Sequence, residues 1–364
     1  MTFYQELQLS AAESKSLIKK SKDKKERFYH IAVYLFKVII TILFCIAAIT
    51  VFTAFFGEEN RMAGVITVLG IMMFRNIDLE IRMSHSIFSI ILIYIITAFG
   101  PHLANIANEI NPLIALPVHL ISIFAITILG CHNVKTYNQF VLVLGYLLLY
   151  GYDVSGKTYL LRIAGLGAGT LLIILIYYFK HRKKVYNRTL KNIFAEYNIR
   201  TTRTSWQIKI TLAISTLLTI AELAGLQRGM WAGIAAMSVL VPFRKDITKR
   251  AAGRSIGNIA GGAVFTAMYY VLPDFMIPFI GIIGGVGTGF SAKYKWQSMF
   301  NSLGAMSMAV VILGGLREAV FYRVFNNIIG AVYGILFGLV FHKIAALILN
   351  RKKKTSNTEF EIKA

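Results

Sequence analysis

Apolar runs recur from about Tyr34 to Leu349, with only short polar breaks between them. A helix needs about 20 apolar residues to cross the hydrocarbon core of a bilayer. Inside that core a backbone satisfies its N–H and C=O groups in a helix or a closed barrel and in no other way. The runs lack the alternating polarity of barrel strands, which excludes a barrel. The chain therefore reads as an all-α polytopic membrane protein. Composition agrees: charged residues make up 15% of the chain, where soluble proteins carry about a quarter.

The runs lie near 34–56, 62–74, 85–101, 112–131, 138–151 and 159–179, then near 206–224, 229–243, 254–272, 275–290, 296–315 and 321–349. This predicts about 12 transmembrane or half-membrane helices. The runs at 62–74, 138–151, 229–243 and 275–290 are short for a perpendicular span. They read as half-helices, broken helices or spans buried in protein.

The net charge is +22. In a soluble chain that balance suggests nucleic acid. Here the basic residues crowd the breaks between apolar runs, as in cytoplasmic loops, and no nucleic-acid partner is expected. With the N-terminus inside, 32 of the 39 Lys and Arg residues fall on the cytoplasmic side. Six lie opposite: Arg61, Lys157, Arg162, Arg228, Arg317 and Arg323. This bias predicts cytoplasmic termini and an even number of crossings in each half. No cleavable signal peptide is expected ahead of the first run. Residues Ser14 to Arg27 read either as a basic amphipathic surface helix or as a solvated tail.

The halves resemble each other. Ala63-Gly64-Val65 opens a run ending at Phe74-Arg75, and Ala232-Gly233-Ile234 opens one ending at Phe243-Arg244. Lys135 and Phe140 correspond to Lys295 and Phe300, and Gly165 and Gly169 to Gly330 and Gly334. Each half ends in a basic stretch. The expected plan is two parallel six-helix repeats. It comprises a basic N-terminal segment at 1–33, a first repeat at 34–180 and a cytoplasmic linker at 181–205. A second repeat follows at 206–349 and a tail at 350–364. The linker is expected to hold an amphipathic helix.

Candidate chemistry concentrates in the second half. After Trp231-Ala232-Gly233 come Val241-Pro242-Phe243-Arg244, then Arg250 and Arg254 ahead of Gly257 and Gly261. This reads as a short helix, a basic turn, and a new helix with Arg254 near its N-terminal end. Helix N-termini attract anions, and arginine grips carboxylate or phosphate through two N–H groups. The segment is either an anion site at the cytoplasmic mouth or topological charge paired with lipid headgroups. Arg75, the counterpart of Arg244, joins the candidates. Gly253, Gly257 and Gly261, like Gly330 and Gly334, have the four-residue spacing of close helix packing. Glu222 is the candidate proton-coupling carboxylate, with pairing to Arg228 as its alternative. Asp246 reads as a neutraliser of its basic neighbours. The Gly281–Gly289 stretch reads as a pliable or broken membrane helix, since it lacks the ending of a phosphate loop. The scattered histidines, and Cys45 and Cys131, give no metal or disulfide pattern, and no metal or cofactor is expected.

The order WAG…VPFRKDITKRAAGRSIGNIAGG resembles the signature region of the fusaric acid resistance family of aromatic acid exporters. The matching positions are Trp231, Pro242, Thr248, Arg254, Gly257 and Gly261. The stretch from Tyr322 to Gly330 is similar to that family's second block. The first half resembles it weakly, since His85 and Phe88 replace Arg254 and Gly257. The resemblance implies six-helix units, oligomers, and transport of organic anions across a plasma or inner membrane. The family is similar in turn to the plant aluminium-activated malate transporters. The larger bacterial members carry sizeable cytosolic domains, for which this chain leaves no sequence. The expectation is thus a non-enzymatic, multi-pass exporter of an organic anion such as an aromatic carboxylate. Its host, from an AT-rich residue composition, would be a bacterium. A passive anion channel, a membrane enzyme acting on lipid-linked substrates and an assembly partner are the alternatives.

Overall fold

A computed structural model describes residues 1–243 and 247–361, and for Pro278 and 348–361 the backbone alone. Arg244 and Asp246 lie outside the described residues.

The described chain is helical and membrane-type. Its first half runs α1 Phe3–Leu7, α2 Ala11–Lys20, α3 Lys24–Phe56, α4 Arg61–Asn76, α5 Met83–Ile110, α6 Pro112–Gly130, α7 Gln139–Gly151 and α8 Gly156–His181. The linker holds α9 Leu190–Ala195. The second half runs α10 Thr202–Leu223, α11 Met230–Val239, α12 Ile247–Val271, α13 Ile280–Gly289, α14 Tyr294–Leu313 and α15 Leu316–Glu361. Local chemistry sets the ends. Asp23 caps α3 by accepting from the Glu26 N–H, and Asn111 caps α6 ahead of Pro112. Gly314, at φ +72°, makes the tight break between α14 and α15.

Among the described residues, seven helices are long and apolar enough to cross a membrane: α3, α5, α6, α8, α10, α14 and α15. Of the short runs, those at 138–151, 229–243 and 275–290 are shorter still as helices, while α4 extends the run at 62–74 to 16 residues. Ten residues of α11 rise about 15 Å, half of a hydrocarbon core about 30 Å thick. Protein surrounds α11, with Ala232, Ala235, Ala236 and Val239 all fully buried, so its ends need not meet lipid.

α3–α8 and α10–α15 pack in matching ways. α4 lies on α8 as α11 lies on α15, and α5 contacts α7 as α12 contacts α14. Across the two sets, α10 packs on α6 and α13 on α3, while α7 meets α11. One face gathers the basic loops: the Arg82 N–H donates to the Arg188 carbonyl at 2.8 Å, and Tyr186 donates to Asp78 at 3.1 Å. On the opposite face Asn60 donates to the Thr158 carbonyl at 3.0 Å and Arg228 to the Gly151 carbonyl at 3.0 Å.

Two expectations change at the edges. The 14–27 stretch is divided between α2 and the first turn of α3, and α1 and α2 fold back on α3. Lys37, read inside the first span, donates to the Leu9 carbonyl and Ser14 Oγ, both at 2.8 Å. The linker helix α9 has only six residues, started by a Thr189–Asn192 capping box.

Candidate functional site

The run read as one helix over 229–243 stops at Val239, ahead of Pro242. Its last carbonyls are left open in the protein interior, and two side chains close them. Arg250 Nε donates to the Ser238 carbonyl at 2.9 Å, and Trp206 Nε1 to the Leu240 carbonyl at 2.7 Å. A cation at a helix C-terminus also meets the negative end of the dipole. The Arg250 guanidinium lies 4.3 Å from the Tyr294 ring centre and 4.9 Å from that of Phe140.

The next helix, α12, begins at Ile247, earlier than hydropathy indicates, because Lys249, Arg250 and two alanines are good helix formers. This corrects the placement of Arg254. It lies two turns inside α12 and is 8% exposed, rather than at the helix start. Arg254 Nε donates to Asn327 Oδ1 at 2.9 Å and Nη1 to the Tyr294 hydroxyl at 3.2 Å.

Beyond Arg254 lies Arg323, about 10 Å along α15 from its Leu316 end. It is 6% exposed. The charge count set it on the side opposite the basic loops, inside the run at 321–349. Its guanidinium sits over the Trp231 ring at 5.3 Å. Its Nε reaches Ser302 Oγ at 3.4 Å. A polar ladder joins the two arginines: Asn258 Nδ2 donates to the Arg254 carbonyl and to Ser298 Oγ, and Ser302 donates to Asn258 Oδ1. Among the described residues no carboxylate pairs with Arg250, Arg254 or Arg323.

The series continues to the opposite face. Asn326, three residues along α15 from Arg323, donates to the Arg228 carbonyl at 2.9 Å, and the Arg228 guanidinium sits 5.2 Å from the Tyr152 ring centre. Arg228 opens onto two cavities, of ≈ 530 Å³ and ≈ 340 Å³. Four guanidiniums, Arg250, Arg254, Arg323 and Arg228, thus step from the basic face to the opposite one, each against an aromatic side chain.

Trp231, Arg250 and Arg254 therefore come together, while Arg75 does not join them. Arg75 is exposed at the end of α4, beside Tyr4. Glu222 does not pair with Arg228. It accepts from the Tyr150 hydroxyl at 2.7 Å. The glycine stripes bring backbones together. A Cβ at Gly261 would stand only 2.7 Å from the Met299 carbonyl oxygen, and Gly257 faces the Lys295 carbonyl as Gly330 faces that of Ala232. A Cβ at Gly334 would stand 3.4 Å from Ala236, and one at Gly253 3.4 Å from Tyr294. Sequence reasoning passed over Arg323, Tyr294, Asn258, Ser298, Ser302 and Asn327. Their signal was present as polar pairs four residues apart in successive runs: Arg254/Asn258, Ser298/Ser302 and Arg323/Asn327.

Residues 212–337 match the family model described as fusaric acid resistance protein-like. No curated protein and no solved structure gives a match. The matched segment contains Arg228, Trp231, Arg250, Arg254, Tyr294 and Arg323. Over its second half, which holds all four arginines of the column, this chain is similar to the fusaric acid resistance family.

Proposed function

We propose that this protein is a membrane transporter whose arginine–aromatic column carries an organic anion, an aromatic carboxylate fitting it best. One observation carries the reading: Arg254 and Arg323 lie buried in one hydrogen-bond network, through Asn327 and through Asn258 and Ser302, with no carboxylate against either among the described residues. Uncompensated guanidiniums in a membrane interior cost several kcal/mol, and such residues mark substrate paths. A bound anion offsets that cost for both at once. The flanking Trp231, Tyr294 and Tyr152 rings add stacking surface suited to an aromatic ring. The family match supports a transport or efflux role. In this reading the basic face is cytoplasmic, the membrane is a bacterial plasma membrane, and export runs from Arg250 toward Arg228.

Flux of labelled benzoate in proteoliposomes tests the path. Arg254→Ala and Arg323→Ala should each lower flux about 10- to 100-fold, the worth of one charge-assisted contact. Both variants should elute as folded protein. Wild-type flux in both variants would remove these residues from the path. Flux that follows voltage and ignores a proton gradient would favour a channel using the same column.

A further inference from the structure

Three buried stripes meet where the two halves join, and none belongs to the arginine column. On α10, Gln207, Thr211, Ser215 and Glu222 recur at the spacing of one helix face. On α7, Gln139, Val143, Tyr146 and Tyr150 do the same. The α6 stripe is His119, Ile123 and Thr127. Hydrogen bonds turn these faces together. Gln207 Nε2 donates to the Thr127 carbonyl at 2.8 Å, and the Tyr150 hydroxyl donates to Glu222 Oε1 at 2.7 Å. His119 Nδ1 and the Tyr146 hydroxyl are 2.7 Å apart.

α6 ends and α10 begins at the basic face, so the two pack antiparallel and depth follows from residue count. His119 is eight residues from Thr127, and Ser215 is eight from Gln207, each about 12 Å along its helix. The two side chains are therefore level. Gln139, seven residues before Tyr146, is level with Gln207 by the same measure.

Each level holds a polar atom with no hydrogen-bond partner among the described residues. Both amide atoms of Gln139 come first, then Thr211 Oγ1, then Ser215 Oγ together with His119 Nε2. These four residues are at most 4% exposed. Asn108 Oδ1, beside Tyr150, continues the series outward. A buried polar atom without a partner is costly, and protein interiors meet that cost with ordered water where several such atoms converge. The stripes carry no Asp, Glu, Lys or Arg inward of Glu222, so they suit an uncharged ligand. At the outer end Tyr150 and Glu222 line the ≈ 340 Å³ cavity of the opposite face. The inner end is sealed in protein, with Gln139 and Gln207 each 1% exposed.

We propose that this seam binds a file of water molecules, fed from the cavity at Glu222 and reaching inward to Gln139. Water both donates and accepts, so it serves either tautomer of His119 and both ends of the Gln139 amide. The file carries solvent of the opposite face about 22 Å along α10, from Glu222 to the level of Gln207. It lies between the halves, on a track separate from the arginines, and stands independently of the anion path.

Hydroxyl radicals generated by X-ray pulses in isotope-labelled water mark side chains that touch water inside a protein. In reconstituted wild-type protein, His119 and Tyr146 should take up the label although both are fully buried. Phe265, equally buried among Ile280, Leu303 and Met306, should take up none. Ser215→Val puts two methyl groups at the level of His119 and should remove the label from both rings. Thr211→Val keeps the side-chain shape and gives a second, independent reading through thermal melting. In a hydrated seam it loses hydrogen bonds to water and the melting temperature falls. In a dry seam it deletes an unpaired hydroxyl and the melting temperature rises. Absence of label on His119 and Tyr146 in the wild type, or a rise in melting for Thr211→Val, overturns the proposal.

Discussion

Arg162 and Arg323 are both buried arginines in the last long helix of their half, and they differ in what faces them. Arg162 has Asp153 at 3.6 Å, Asn60 at 3.0 Å and the Tyr152 carbonyl at 2.7 Å. Arg323 has a serine hydroxyl and an indole face. Removing one partner of a buried ion pair strands the other, whereas removing an uncompensated charge relieves a cost. Arg162→Met should therefore lose about 2–3 kcal/mol, less than a fully buried pair because Asp153 keeps some exposure. Arg323→Met should melt at or above the wild-type temperature while losing flux. Thermal melting in detergent beside the flux assay checks both. A second residue-scale test concerns Asp78, on the basic face. Burial raises its carboxyl pKa, but the Glu80 N–H, the Tyr177 and Tyr186 hydroxyls and nearby His181 outweigh that and hold it below the usual carboxylate range. A lowered folded-state pKa contributes stability above the unfolded value and loses it as pH falls through the folded one. Wild-type melting temperature should therefore drop toward pH 3. Asp78→Asn should start lower at pH 7 by about 1–2 kcal/mol and flatten that drop.

Among elements, α11 joins fold to site. Its early end leaves carbonyls that Arg250 and Trp206 close, and its small residues let α15 approach until Gly330 meets the Ala232 carbonyl. That approach places Trp231 under Arg323. α12 and α14 meet in the same way through Gly257 and Gly261. Alanine in a helix gains about 1 kcal/mol over glycine, while forcing a methyl into a packed contact costs about 1–3 kcal/mol. Gly257→Ala and Gly330→Ala should lower the melting temperature, because backbone cannot step aside. Gly285→Ala and Gly167→Ala, which meet nothing within 4 Å, should be neutral or stabilising. Equal behaviour of all four variants would contradict the packing account. The glycine spacing was legible in the sequence. The early stop of α11 and early start of α12 were not, because hydropathy tracks solvent and α11 is solvated by protein.

For the whole molecule, the orientation proposed for the two halves is open to labelling. In a cysteine-free background, Lys157→Cys and Asp274→Cys lie on the face opposite the basic loops, one in each half. Both should react with an impermeant thiol reagent in intact cells, and Lys183→Cys only after permeabilisation. The reverse pattern would invert the topology. The halves share helix order and several helix contacts but not chemistry. The position equated with Arg254 is His85, half-exposed near the start of α5, so the arginine column belongs to the second half and to the seam with α7. By itself the sequence determined the membrane class, the helix order, the charge bias and the segment holding the arginines, because a bilayer imposes length and polarity on each run separately. Only the tertiary structure decided that Arg254 and Arg323, 69 positions apart, share one buried neighbourhood, and that Glu222 answers to Tyr150 rather than to Arg228. Those pairings depend on which helix faces meet, and the polarity of a single run does not carry that information.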